Sequence, residues 1–169
     1  MRTHRTTPRR LSAAAAVLTA AGALVLAAPT GAHAESAPTT ISNMAGRKCM
    51  EVADWRTDDG APVRQWSCHS GANQQWIRTD YGEIVNVHSG KCLDIPNYST
   101  TPGTQAVQWT CNRGLNQAWH VYPRGWKPEF YVSNLYSGLH LDLFEGSTAD
   151  GTPIGQWKLN ADPNQRWYF

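Results

Sequence analysis

Three acids recur at one place in a repeated pattern: Glu51 in CMEV, Asp94 in CLDI and Asp142 in HLDL. Each precedes a tryptophan by 15 residues (Trp66, Trp109, Trp157) and an asparagine by 22 (Asn73, Asn116, Asn164). A carboxylate accepts charge-assisted hydrogen bonds from neighbouring hydroxyls. An indole offers a broad apolar face, and a carboxamide both donates and accepts. Together these groups suit a sugar, which has apolar C–H faces and directional hydroxyls. One such set alone reads more simply as structure: an acid bonding a local turn beside an indole that covers a loop. Its threefold repetition favours binding.

The same residues do not suit catalysis. Glycoside hydrolysis needs two carboxylates about 5–10 Å apart, whereas each copy here holds one. Asp58 and Asp59 are adjacent in a turn-like stretch and read as solvated. His69, His88, His120 and His140 fall at non-equivalent positions of the pattern, and no serine or cysteine has a visible base. The roles that a reaction requires are not filled, so the expectation is a binding protein and not an enzyme. No constellation calls for a metal or a cofactor.

The elements that must carry these groups come in three copies. ISNMAGRKCMEVADWRTDDGAPVRQWSCHSGANQQW is followed by IVNVHSGKCLDIPNYSTTPGTQAVQWTCNRGLNQAW and VSNLYSGLHLDLFEGSTADGTPIGQWKLNADPNQRW. The closing tryptophans Trp76, Trp119 and Trp167 are spaced by 43 and 48 residues. The excess lies in YPRGWKP, a loop by composition. Copies of about 41–83, 84–130 and 131–169 follow. Each has short alternating runs broken by Gly, Pro, Asn, Asp and Ser, which read as strands. A propeller needs four or more blades. Three copies with some four strands each therefore predict an all-β fold, a pseudo-symmetric β-trefoil whose closure leaves no open sheet edge.

Strand alternation assigns the faces. Met50 and Val52, Leu93 and Ile95, and Leu141 and Leu143 face the core, and the acids face outward. Trp76, Trp119 and Trp167 are expected as core wedges, with Gln74, Gln117 and Gln165 pairing backbone groups that burial would otherwise strand. Cys49 and Cys68 are 19 residues apart, as are Cys92 and Cys111. The equal spacing favours two disulfides within copies, each closing a loop for about 3 kcal/mol. A zinc site is the alternative, though it usually has closer cysteines. The third copy has His140 and Leu159 instead. If paired cysteines oppose one another, Asp94 opposes Trp109, Glu51 opposes Trp66 and Asp142 opposes Trp157, with Cβ atoms about 5 Å apart.

The first 34 residues stand apart. Arg2, Arg5, Arg9 and Arg10 precede LSAAAAVLTAAGALVLAA, and AHA precedes Glu35. That is a signal peptide cut after Ala34, favoured over a membrane anchor; the Arg9-Arg10 pair leaves twin-arginine export open. Residues 35–169 form one domain with eleven Lys and Arg against thirteen Asp and Glu. Without a basic stripe, nucleic acid is a poor partner. A secreted, extracellular monomer that engages neither nucleic acid nor membrane is expected.

The three Gln-x-Trp phrases, SGKCLD and the local cysteine pairs resemble the ricin B-type lectins, also called family-13 carbohydrate-binding modules, over residues 38–169. The resemblance implies shallow sites for galactose- or xylan-type sugars of plant or cell-wall polysaccharides. It implies roles for Asp94, Trp109, Asn112 and Asn116 in the second copy, and for Asp142, Trp157, Asn160 and Asn164 in the third. The first copy offers Trp66, His69 and Asn73 but has Glu51 as its acid. The family's glutamine two places before the aromatic reads Arg64, Val107 and Gly155. Arg64 is expected diagonally across from Glu51, paired with it and either partly filling that pocket or changing its specificity. The expected order of competence is second, third, first. A protein-binding trefoil, using YPRGWKPEF and Trp126, is the alternative.

Overall fold

The computed structural model describes residues 1, 35–125 and 128–169. The expected signal peptide, apart from Met1, and Trp126 lie outside the described residues. Among the described residues the chain forms strands of two to five residues and single 3-10 turns. The first copy holds β1 (Thr39–Thr40), β2 (Ser42–Asn43), β3 (Cys49–Val52), β4 (Val63–Trp66) and β5 (Gln75–Arg78). The second holds β6 (Ile84–Asn86), β7 (Cys92–Asp94), β8 (Val107–Trp109) and β9 (Trp119–Pro123). The third holds β10 (Phe130–Asn134), β11 (His140–Leu143), β12 (Ile154–Trp157) and β13 (Trp167–Tyr168).

Within each copy the strand bearing the acid, β3, β7 or β11, pairs antiparallel on both sides. Copies join where β5 pairs β6, β9 pairs β10 and β13 returns to β2. Strands β4, β8 and β12 also meet one another: Val63 N donates to Ala106 O at 3.0 Å, Ala106 N to Ile154 O at 2.9 Å and Gln65 N to Thr152 O at 2.9 Å. The shell is thereby closed into a β-trefoil, as the sequence predicts.

The core repeats with the same symmetry. Met50, Leu93 and Leu141 are fully buried, with Val52, Ile95 and Leu143 one turn of the pleat further on. Trp76, Trp119 and Trp167 fill the spaces between them. Their indole N–H groups donate to the carbonyls of Met50, Leu93 and Leu141 at 3.0, 2.9 and 3.0 Å. Each wedge thus grips the residue immediately before the acid, so packing and acid position are set together. Truncating one to Ala would cost about 3–5 kcal/mol.

Two side-chain straps cross between copies. Gln108 Nε2 donates to the Arg56 and Asp58 carbonyls, Gln156 Nε2 to those of Ser99 and Thr101, and Gln65 Nε2 to those of Ser147 and Ala149. Asn86, Asn134 and Asn43 donate to the carbonyls of Asn73, Asn116 and Asn164 at 2.9 Å each. Each copy is tied to its predecessor around the ring.

The disulfides Cys49–Cys68 and Cys92–Cys111 are formed, with Cα separations of 5.0 and 5.1 Å. The register differs by two from the one they suggest. Cys92 opposes Trp109 and Asp94 opposes Val107; likewise Glu51 opposes Arg64 and Asp142 opposes Gly155. The chain leaves the ladder after Trp66 and Trp109, so each bridge joins a strand to a loop and does not mark opposed residues. Asp94 and Trp109 become diagonal neighbours on one face, still within reach of large side chains.

Candidate functional site

Each acid sits under the closing Asn-Gln pair. Gln74, Gln117 and Gln165 donate from Nε2 to one oxygen of Glu51, Asp94 and Asp142 at 2.9, 2.8 and 2.8 Å. The preceding asparagines donate to the same oxygens, at 3.4 Å from Asn73, 3.0 Å from Asn116 and 2.9 Å from Asn164. The glutamines also bond backbone on both sides. Nε2 donates to the carbonyls of Ser67, Thr110 and Lys158, and Oε1 accepts from the amides of His69, Asn112 and Asn160. The backbone role expected from sequence is therefore present, together with a second one: aiming the carboxylate. In Asp94 and Asp142 the other oxygen, Oδ1, accepts no hydrogen bond among the described residues.

The acids do not point freely outward. Glu51, Asp94 and Asp142 are each only 3% exposed, because the Asn-Gln turn folds over them. Burial pushes Asp142 up to about 6, against the hydrogen bonds from Gln165 and Asn164 and with the charge of Asp162. Burial raises Asp94 too, again opposed by its Gln117 and Asn116 bonds. Such a carboxylate is held in position with one oxygen ready for a donor.

Beside the acids, Trp109 and Trp157 are 42% and 45% exposed. His69 Nδ1, Asn112 Oδ1 and Asn160 Oδ1 each accept the amide two residues on, at 3.1, 2.8 and 2.9 Å. They hold the loop, and Nδ2 of Asn112 and Asn160 donates to no group among the described residues.

The first copy is filled by its own arginine. Arg64 Nε donates to Glu51 Oε1 at 3.0 Å and Nη2 donates to Asp54 at 2.9 Å. Its guanidinium lies over Trp66, 4.4 Å from the ring centre. The pairing expected from sequence is present, between directly opposed residues and not diagonal ones. The indole face that a ligand would use is covered.

The loop after each acid strand separates the other two copies. It carries two consecutive residues at positive φ: Asp54–Trp55, Asn97–Tyr98 and Glu145–Gly146. In the first two copies the aromatic folds across onto a glycine. A Cβ on Gly71 would lie 2.6 Å from Trp55, and one on Gly114 would lie 2.5 Å from the Tyr98 hydroxyl. In these two copies Asn73 Oδ1 and Asn116 Oδ1 are buried without a hydrogen-bond partner among the described residues. In the third copy glycine replaces the aromatic and Asp162 replaces the glycine. There a cleft of about 720 Å³ is bounded by Trp157, Phe144 and Gly146, with Asp142, Asn160 and Asn164 in its lining. The site residues expected from sequence do not include Phe144, Glu145, Gly146 and Asp162, although the loops PNYST and FEGST differ visibly. Their signal lay in the aligned columns where the third copy departs from the other two.

A closed threefold β-shell with a held carboxylate and an indole on each lobe defines a β-trefoil of lectin type. The ricin-type beta-trefoil lectin domain model matches residues 37–167, and the chain belongs to that family. The designed threefold-symmetric protein ThreeFoil is 33% identical, with a TM-score of 0.76 over 78% of this chain and 96% of its own. An exo-β-1,3-galactanase from Clostridium thermocellum is 32% identical, with a TM-score of 0.75; the match covers 78% of this chain and 29% of that one. A Macrolepiota procera ricin B-like lectin, solved with lactose, shares the fold at 23% identity and a TM-score of 0.68, covering 78% of this chain and 93% of that one.

Proposed function

We propose that this protein is a secreted, non-catalytic lectin that holds galactose- or xylose-type residues of polysaccharides in shallow sites on its second and third copies. The sugar's apolar face lies on Trp109 or Trp157. Its hydroxyls donate to the open oxygen of Asp94 or Asp142 and accept from Nδ2 of Asn112 or Asn160. The single observation that carries this reading is the repeated carboxylate fixed through one oxygen with the other left open beside an exposed indole. The first copy contributes little, since Arg64 covers its indole. Single sites of this shape bind weakly, and two sites on one polymer raise the effective affinity by linkage.

Retention on arabinogalactan, galactose and xylan resins tests the reading. The intact protein is expected to be retained on at least one. Asp94→Ala and Asp142→Ala should each weaken retention, and together abolish it. No retention on any resin, or retention that both changes leave intact, overturns the proposal. Export is checked separately, by finding Glu35 as the first residue of protein recovered from the culture fluid.

A further inference from the structure

The third copy has exchanged an aromatic hood for charge. Gly146 and Asp162 stand where the second copy has Tyr98 and Gly114, and Glu145 stands where it has Asn97. Three carboxylates, Asp142, Glu145 and Asp162, line one cleft whose wall is Trp157, and no lysine, arginine or histidine lines it. The other loop acids behave differently: Asp54 is paired with Arg64, Asp59 with Lys91 and Asp150 with Lys48. Neither Glu145 nor Asp162 has a cation partner among the described residues. At the floor, nine-tenths-buried Asp142 keeps Oδ1 without a donor, and the charge of Asp162 is felt there as a push against its ionisation.

We infer that the third-copy cleft prefers a sugar bearing a protonated primary amine over its hydroxyl, acetamido and uronic counterparts. The inference rests on the reading of this cleft as a sugar site and names the ligand class for it. An ammonium substituent answers the unpaired acids at the rim. It can also approach the Trp157 face, where a cation is attracted by the ring. A uronate would meet three like charges. An acetamido group keeps the shape of the substituent but loses the charge. The second copy, with Tyr98, Asn97 and Gly114 at these places, has no such preference.

The test is titration of the intact domain with methyl glycosides, followed at the Trp157 indole N–H by NMR. Galactosamine, galactose, N-acetylgalactosamine and galacturonate form one series; the corresponding glucose-based sugars form the other. In the series that binds, the amine is expected to be about fivefold tighter than the hydroxyl sugar, as for two exposed ion pairs. The uronate should be weakest. The ratio should fall as salt is added, because exposed charges are screened. Glu145→Gln with Asp162→Asn should bring it close to one. If the Trp157 signal moves for neutral sugars but the amine is no tighter, the preference is wrong and the lectin reading stands. If it moves for no sugar in either series, the sugar site itself is wrong. Equal amine preference at the Trp109 signal would also overturn the assignment to the third copy.

Discussion

Asp142 is a buried carboxylate, and its titration should report that. Burial raises it to about 6 from 3.8, the value of an ordinary aspartate. The folded chain therefore binds this proton more tightly than the unfolded chain does. The stability linked to it is fully present below 3.8 and is lost as pH rises through about 6. Asp142→Asn can keep the acceptor that Asn164 and Gln165 use while removing the charge. It is expected to raise the melting temperature above pH 6, to change little below pH 4 and to remove sugar binding at Trp157; thermal unfolding across pH checks the first two. Sugar binding by the third copy should likewise weaken as pH falls through about 6, because the ionised acid is the better acceptor. Gln117 shows the complementary case, a residue acting through another. Gln117→Ala removes its bonds to Asp94, to Thr110 O and from Asn112 N. Asp94 keeps its bond from Asn116, and the loss of three bonds, two of them only part-buried, should cost about 1–3 kcal/mol. Sugar affinity at the second copy should fall with the loss, because Asp94 is no longer aimed. Acid, asparagine and glutamine were all legible in the sequence because they recur. Gly146 and Asp162 were not, since repetition was the signal and these are the places where the copies differ.

The elements were legible unevenly, for a physical reason. Alternation in CMEV, CLDI and HLDL located three strands and their core faces correctly, as the burial of Met50, Leu93 and Leu141 shows. The register was not readable from the cysteines, because a disulfide constrains Cα distance and not ladder pairing. It slipped by two, which preserves the face of every side chain; a slip of one would have turned the acids into the core. The loop after each acid strand was legible as a turn but not in its consequence. Two adjacent residues at positive φ bend it sharply, and the second then lies over the site. Tyr98 holds that conformation at φ 51° and packs edge-on against Tyr136, with ring centres 5.0 Å apart. Left-handed backbone costs a non-glycine residue about 1 kcal/mol or more, and an edge-on pair returns a similar amount. Tyr98→Gly should thus leave stability nearly unchanged while uncovering Asn116 Oδ1. Affinity at the Trp109 site is expected to rise several-fold, measured by the indole shift. The converse exchange, Gly146→Tyr with Asp162→Gly, should lower affinity at Trp157. No change at either indole would mean that the aromatic is not a hood.

At the scale of the molecule, stability is distributed around three seams, and they are unequal. Asp59 of the first copy reaches the second, where it accepts the Thr110 amide at 2.7 Å and pairs with Lys91 at 2.8 Å. Asp150 of the third reaches the first in the same way, accepting the Ser67 amide at 2.8 Å and pairing with Lys48 at 2.7 Å. At the remaining seam, from second copy to third, the equivalent residues are Pro102, Leu139 and Lys158, and that strap is gone. The third copy also lacks a disulfide, having His140 and Leu159 in place of the cysteines. Three equivalent amides report on the three seams: Gly60 N bonds Gln108 O at 2.8 Å, Gly151 N bonds Gln65 O at 2.9 Å and Gly103 N bonds Gln156 O at 2.8 Å. Their bond lengths are alike, so static geometry does not separate them. Hydrogen exchange does, because it reads the free energy of opening. The strap adds to the cost of opening at two seams and not at the third, so Gly103 should exchange faster than Gly60 and Gly151. Restoring the strap with Pro102→Asp and Leu139→Lys should slow Gly103 toward the other two and leave them unaffected. Equal exchange at all three glycines in the unaltered protein would show instead that the trefoil opens as one unit, with the Gln and Asn straps alone setting its cooperativity.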